Sequence, residues 1–193
     1  MRDFRLPRPH RFAARFARAD GGGVALEVGL VFFPFLLMFF ALLELAMALL
    51  AFSTLEYATQ AASRRIRTGE FQQSGANTKT DFRGLVCANM SWLSTQCTSD
   101  AYVAVQTFAD FSTLAGNSPQ AAASFDPNIN CFTPGNPTDI VLVRVYFRWR
   151  LFTPFLDTAM ENMGDGTGMR LISSATAFRN EPYSDAKAVG AKC

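Results

Sequence analysis

The stretch DGGGVALEVGLVFFPFLLMFFALLELAMALLAF, residues 20–52, runs without a break into STLEYATQAASRRIRTG, residues 53–69. From Val24 to Phe52 the only ionisable residues are Glu27 and Glu44. An apolar run of this length exceeds the roughly 20 residues that cross a bilayer as a helix. Only a helix or a closed barrel satisfies its own backbone groups in hydrocarbon, so a single span is predicted to be a helix. Gly21, Gly22 and Gly23 stop helix from the N-terminal side, each costing a helix about 1 kcal/mol relative to alanine. Pro34 removes one backbone hydrogen bond and predicts a kink about three turns in.

Beyond Phe52 the pattern turns amphipathic. Leu55, Ala58, Ala62 and Ile66 keep to one face at helical spacing, while Glu56, Gln60, Arg64 and Arg67 take the others. Gly69 is a good stop, and Arg64, Arg65 and Arg67 suit the dipole of the last turns. A helix from Val24 to Thr68 would be about 67 Å long at 1.5 Å per residue, twice the hydrocarbon thickness. Half of it is expected to project from the membrane.

The charge of +2 is uneven: the first 23 residues carry six arginines against Asp3 and Asp20, a net +4 that the remainder offsets. Arginines massed before the span predict a cytoplasmic N-terminus and an external C-terminal domain. Orientation accounts for them more economically than nucleic-acid binding. A cleavable secretory signal has an apolar region of about 7 to 15 residues and then a small-residue cleavage site; this run is longer and flows into more helix. Cys87, Cys97, Cys131 and Cys193 all lie beyond the span, on the side expected to be oxidising, so disulfides are expected. Sequence allows three pairings. Cys87 with Cys97 closes the short loop, and Cys131 with Cys193 is the complementary pair.

The region past the helix reads as a small α+β domain. Residues 70–80 are polar and read as a loop. A short helix capped by Thr80 or Asp81 follows, burying Phe82, Leu85, Val86, Met90 and Leu93. Tyr102 to Phe108 is a strand, and 110–137, with four prolines, is a long loop. From Asp139 to Phe152, Val141, Val143, Val145, Phe147, Trp149 and Leu151 alternate with Arg144, Tyr146, Arg148 and Arg150: a strand with one core face and one wet face. A short helix or turn over 153–162, a glycine-rich turn over 163–168, a third strand from Met169 to Arg179 and a polar tail complete the chain. Three such strands predict a small antiparallel sheet whose apolar face is covered by the helix over 53–69.

Catalytic patterns are absent. The one histidine, His10, precedes the span, which removes Ser-His-Asp and Cys-His arrangements and most zinc sites from the outer domain. Asp165 among glycines lacks the companions of a calcium or phosphate loop, and Asp157 with Glu161 is an ordinary helical spacing. No cofactor, metal or catalytic residue is expected, and the chain is read as a non-enzyme. The informative carboxylates are Glu27 and Glu44. An ionised group in the bilayer costs a few kcal/mol and is retained for a partner. Glu27, within one turn of the helix start, also suits the N-terminal dipole. Glu44 is deeper, and either pairs with a polar group on another helix or sits near the outer interface.

A basic leader ending in glycine, followed by a span with a glutamate at its fifth position, resembles the processing pattern of type IV pilins. The stretch RADGGGVALEVGLVFFPFLLMFFALLELAMALL, with IVLVRVYFRW at 140–149 and SATAFRNEPY at 174–183, is similar to the TadE-like minor pilins, or pseudopilins, of the tight-adherence pilus. The resemblance implies cleavage by a prepilin peptidase between Gly22 and Gly23, or one residue to either side. It implies that Glu27 and Glu44 serve assembly, the freed N-terminal ammonium of one subunit neutralising the glutamate of the next. The implied partners are the prepilin peptidase, the major Flp-type pilin, other pseudopilins, the inner-membrane assembly platform and membrane lipid, and no nucleic acid. The organisation expected is a cytoplasmic leader over 1–22, a long helix over 23–69 with its span at about 24–50, and a periplasmic α+β domain over 70–193. The alternative is a signal-anchored periplasmic binding or envelope protein that is never processed.

Overall fold

The computed structural model describes residues 22–75, 78–128, 131–153 and 157–184. The leader before Gly22, His10 within it, and Cys193 lie outside the described residues. The fold is α+β: a long N-terminal apolar helix, short helices, and a three-stranded antiparallel sheet.

Helix α1, Gly23–Arg67, continues through Pro34. Gly69 ends it with φ +81°, a left-handed conformation that glycine adopts without steric cost. By its contacts the chain falls into two compact units, with the boundary inside α1 between Leu42 and Leu43. In the first unit α1 exposes its large apolar residues, including Val24, Leu26, Leu30, Phe33 and Phe35. In the second unit Ala48, Ala51, Leu55, Ala58, Ala62 and Ile66 are buried in the main core. The alanines remove side-chain bulk on that stripe, so the helix backbone approaches the sheet closely.

The sheet order is β1-β2-β3, with β1 Ala101–Phe108, β2 Ile140–Arg150 and β3 Met169–Arg179. Both pairings are antiparallel; Val103 faces Val145 across the first and Val145 faces Ser174 across the second. Val141, Val143, Val145, Phe147 and Trp149 enter the same core as the α1 alanines, the face the alternation predicts.

The opposite face is drier than the alternation predicts. Tyr146 is buried, and with Ala104 and Leu171 it forms a second cluster against Tyr102, Ala122, Phe125 and Cys131. The cause is the long loop after β1, which folds back over the sheet. Phe125 packs against the rings of Tyr102 and Tyr146, and Gln120 N–H donates to the Tyr146 hydroxyl. The same loop carries a short helix α5, Phe111–Ala115, and a 3-10 turn at Ala122–Ser124.

Other local differences have similarly local causes. The polar segment after Gly69 holds a one-turn helix α2, Glu70–Gln73, because Phe71 and Gln72 are buried. The next helix, α3, Lys79–Ala88, is capped by Thr78 rather than Thr80 or Asp81. Thr78 accepts from Asp81 N–H while the Asp81 carboxylate accepts from Thr78 N–H. This reciprocal cap satisfies two otherwise orphaned donors. Phe82, Val86, Met90 and Leu93 are buried as their spacing predicts. Helix α4, Ser94–Asp100, carries Cys97, which is bonded to Cys87 of α3. Between β2 and β3 stands one further turn of helix, α6, Asp157–Met160.

Candidate functional site

The two glutamates of α1 have opposite surroundings. Glu27 is exposed in an apolar stretch and makes no hydrogen bond or ion pair among the described residues. Gly22 and Gly23, which precede it, are equally open: a methyl group added at either meets nothing within 4 Å. Glu44 is 4% exposed. Its Oε2 accepts from Phe152 N–H, Thr153 N–H and the Thr153 hydroxyl, each at 3.0 Å. Three donors converging on one carboxylate oxygen make a strong charge-assisted clasp. Its Oε1 is buried with no partner among the described residues. Nothing in the spacing of LLEL foretells the clasp, because its donors lie more than a hundred residues away, and two of them are backbone groups.

Around the clasp the end of β2 is aromatic. Trp149 packs edge-on against both Trp92 and Phe152, with ring centroids 6.0 and 5.5 Å apart. Trp149 is buried, while Trp92 and Phe152 are largely exposed.

The arginines of β2 do not form a free cationic stripe. Arg144 donates to the Asn117 side chain and to the carbonyls of Asn117 and Ser118. Arg148 pairs with Asp100 at 2.8 Å and lies over the Tyr102 ring. In the glycine-rich turn, Glu161 rather than Asp165 does the organising: it accepts from Gly166 N–H and Gly168 N–H. Those two bonds, Gly166 first, hold its carboxyl below the usual range. The side chain of Asp157, the other member of the spaced acidic pair, lies outside the described residues. No group of three or more metal-ligating side chains occurs among the described residues.

Cys87 and Cys97 form a disulfide with Cα atoms 5.3 Å apart. Cys131 is also disulfide-bonded. The start of the polar tail, in contrast, is built into the fold. Asn180 is buried and donates to the carbonyls of Pro134 and Asn136, and Glu181 N–H donates to the Arg67 carbonyl. Gln72 donates to the Ile66 and Pro134 carbonyls and to the Tyr183 hydroxyl. Burial, and then the nearby Asp139 charge, push the Tyr183 hydroxyl pKa up. A Cβ at Gly69 would lie 2.4 Å from the Tyr183 ring, so the end of α1 and the tail need glycine between them.

Residues 22–64, which hold both glutamates, match the family model described as TadE-like protein. Over those residues the long helix is similar to TadE-like proteins. No curated protein and no solved structure matches the chain. The TadE-like match covers α1 almost to its end and stops short of the sheet, so it bears on the glutamates and on the clasp's helical side. The TadE-like helix is long and apolar enough to cross a membrane, and fits a single-pass anchor.

Proposed function

We propose that the chain is a minor pilin, or pseudopilin, of a tight-adherence pilus, held in the inner membrane by α1 with its α+β domain in the periplasm. A prepilin peptidase cuts the leader between Gly22 and Gly23, and the processed subunit acts by assembly with the major Flp-type pilin and other pseudopilins on the inner-membrane platform. The observation that carries this reading is the bare carboxylate of Glu27 on an exposed apolar helix. A charge left in hydrocarbon costs about 3 kcal/mol even on lenient scales, which favours a partner supplied by another molecule. After cleavage Glu27 is the fifth residue of the new chain, within reach of a neighbour's terminal ammonium as apolar helices pack side by side. The open backbone at Gly22 and Gly23 supports access by a peptidase. Both glutamates serve assembly in different capacities: Glu27 between subunits, Glu44 by fixing the domain to the helix that packs.

Intact mass tests the reading. Chain purified from the membranes of cells that contain the matching peptidase is expected to lack its first 22 residues. A full-length chain from those cells overturns the processing step and favours the signal-anchored periplasmic protein.

A further inference from the structure

The outer end of the span, taken on the anchor reading above, coincides with the clasp. Counted from Gly23, about 20 helical residues suffice to traverse the roughly 30 Å of hydrocarbon, so the crossing closes short of residue 50, where the apolar run itself continues. That count ends at the turn carrying Leu42, Leu43 and Glu44. Glu44 accepts from Phe152 N–H and Thr153 N–H, so the exit of β2 is tied to this same turn. There the Phe152 residue is 61% exposed and Trp92 is 46% exposed, with Trp149 between their rings. On α1 the exposed apolar surface continues past Glu44 through Leu45, Leu49, Leu50 and Phe52. Exposed apolar residues gathered in this way mark an interaction surface.

The placement selects its occupant. A tryptophan held beside the turn where a helix leaves the bilayer meets the headgroup region, where amphipathic rings concentrate, and the wholly apolar ring of Phe152 adds surface for the adjoining acyl chains. Arg150, exposed two residues before Phe152, is a cation suited to lipid phosphate at the same level. We propose that Phe152 and Trp92 form a lipid-interface contact that Glu44 fastens to the outer end of the span. Glu44 is then a positioning residue. It holds the β2 exit at the depth where its aromatic side chains are useful, and its own carboxylate is shielded from hydrocarbon by Phe152 and Thr153.

The two tryptophans report on this directly. Full-length chain is reconstituted in phosphatidylcholine vesicles, with or without lipid brominated near the carbonyl end of its acyl chains. Bromine is expected to quench emission roughly twofold, as for a ring at the interface. Trp92→Phe should remove most of the quenched component, and Phe152→Ser should weaken quenching while leaving the far-ultraviolet spectrum unchanged. Resistance to alkaline carbonate extraction is measured on the same vesicles. A chain that is retained but unquenched overturns the lipid contact alone, and leaves that face to a protein neighbour. A chain released by carbonate overturns the anchor reading together with the contact.

Discussion

Residues 23–42 and 43–67 belong to one continuous helix but are built for different surroundings. The first segment exposes Phe, Leu and Val on all sides, and its one carboxylate, Glu27, is bare. The second turns a stripe of Ala48, Ala51, Ala58 and Ala62 into a protein core, and its first carboxylate, Glu44, is enclosed by the chain itself. A helix needs no change of backbone to pass from lipid to protein, only a change in which residues line each face. On the function proposed above, the difference divides the glutamates: one satisfies its charge within the subunit and the other is left for another molecule.

Removing the inner carboxylate is the strongest challenge to that division. Glu44→Ala deletes three charge-assisted bonds and leaves Phe152 N–H and Thr153 N–H without their acceptor, an expected loss of about 4 kcal/mol. Thermal unfolding followed by near-ultraviolet circular dichroism in detergent reads this, and Glu27→Ala is expected to leave the same transition unmoved. Equal shifts for the two variants would break the comparison.

Much of this was legible in sequence and some was not, for identifiable reasons. The long apolar helix, the core face of β2 and the bounds of β3 follow from local composition and periodicity, which the structure keeps. The Glu44 clasp and the cover over Tyr146 depend on partners brought from far along the chain, so no spacing encodes them. The tail misleads for a different reason. Asn180 and Tyr183 look like solvent-facing residues, but they are buried or half-buried: Asn180 donates to the Pro134 and Asn136 carbonyls, and the Tyr183 hydroxyl donates to the Gly135 carbonyl and accepts from Gln72. Glu27 is the reverse case: it has no partner among the described residues, and its proposed role rests on the cost of a bare charge in an apolar stretch together with the resemblance of the surrounding sequence.

The far end of the second segment offers a smaller test. At Gly69, φ is +81° and the Tyr183 ring fills the space of a Cβ. Gly69→Ala is expected to cost about 2 kcal/mol, from the left-handed backbone and the displaced ring. Chemical denaturation measures it. A neutral result would mean that the tail does not lock the helix end, and that the domain's grip on α1 rests on the alanine stripe and the Glu44 clasp alone.

The smallest effect is local. Glu161 has its folded pKa depressed, chiefly by Gly166 N–H and then Gly168 N–H. Its contribution is therefore present above the ordinary carboxylate range and lost as pH falls through the lowered folded value. The amide resonances of Gly166 and Gly168 should titrate together in that acidic window, with the α1 and sheet resonances unchanged. Movement of the whole domain in step with them would show that this turn is coupled to the core, contrary to the local role given to it.

The division between the two carboxylates is tested most directly by piliation of cells carrying Glu27→Ala as their only copy of the chain, counted as sheared surface pili beside the wild type. The expected result is loss of pili while the variant chain stays in the membrane fraction with its domain's unfolding transition unchanged. Normal piliation by that variant would contradict the account.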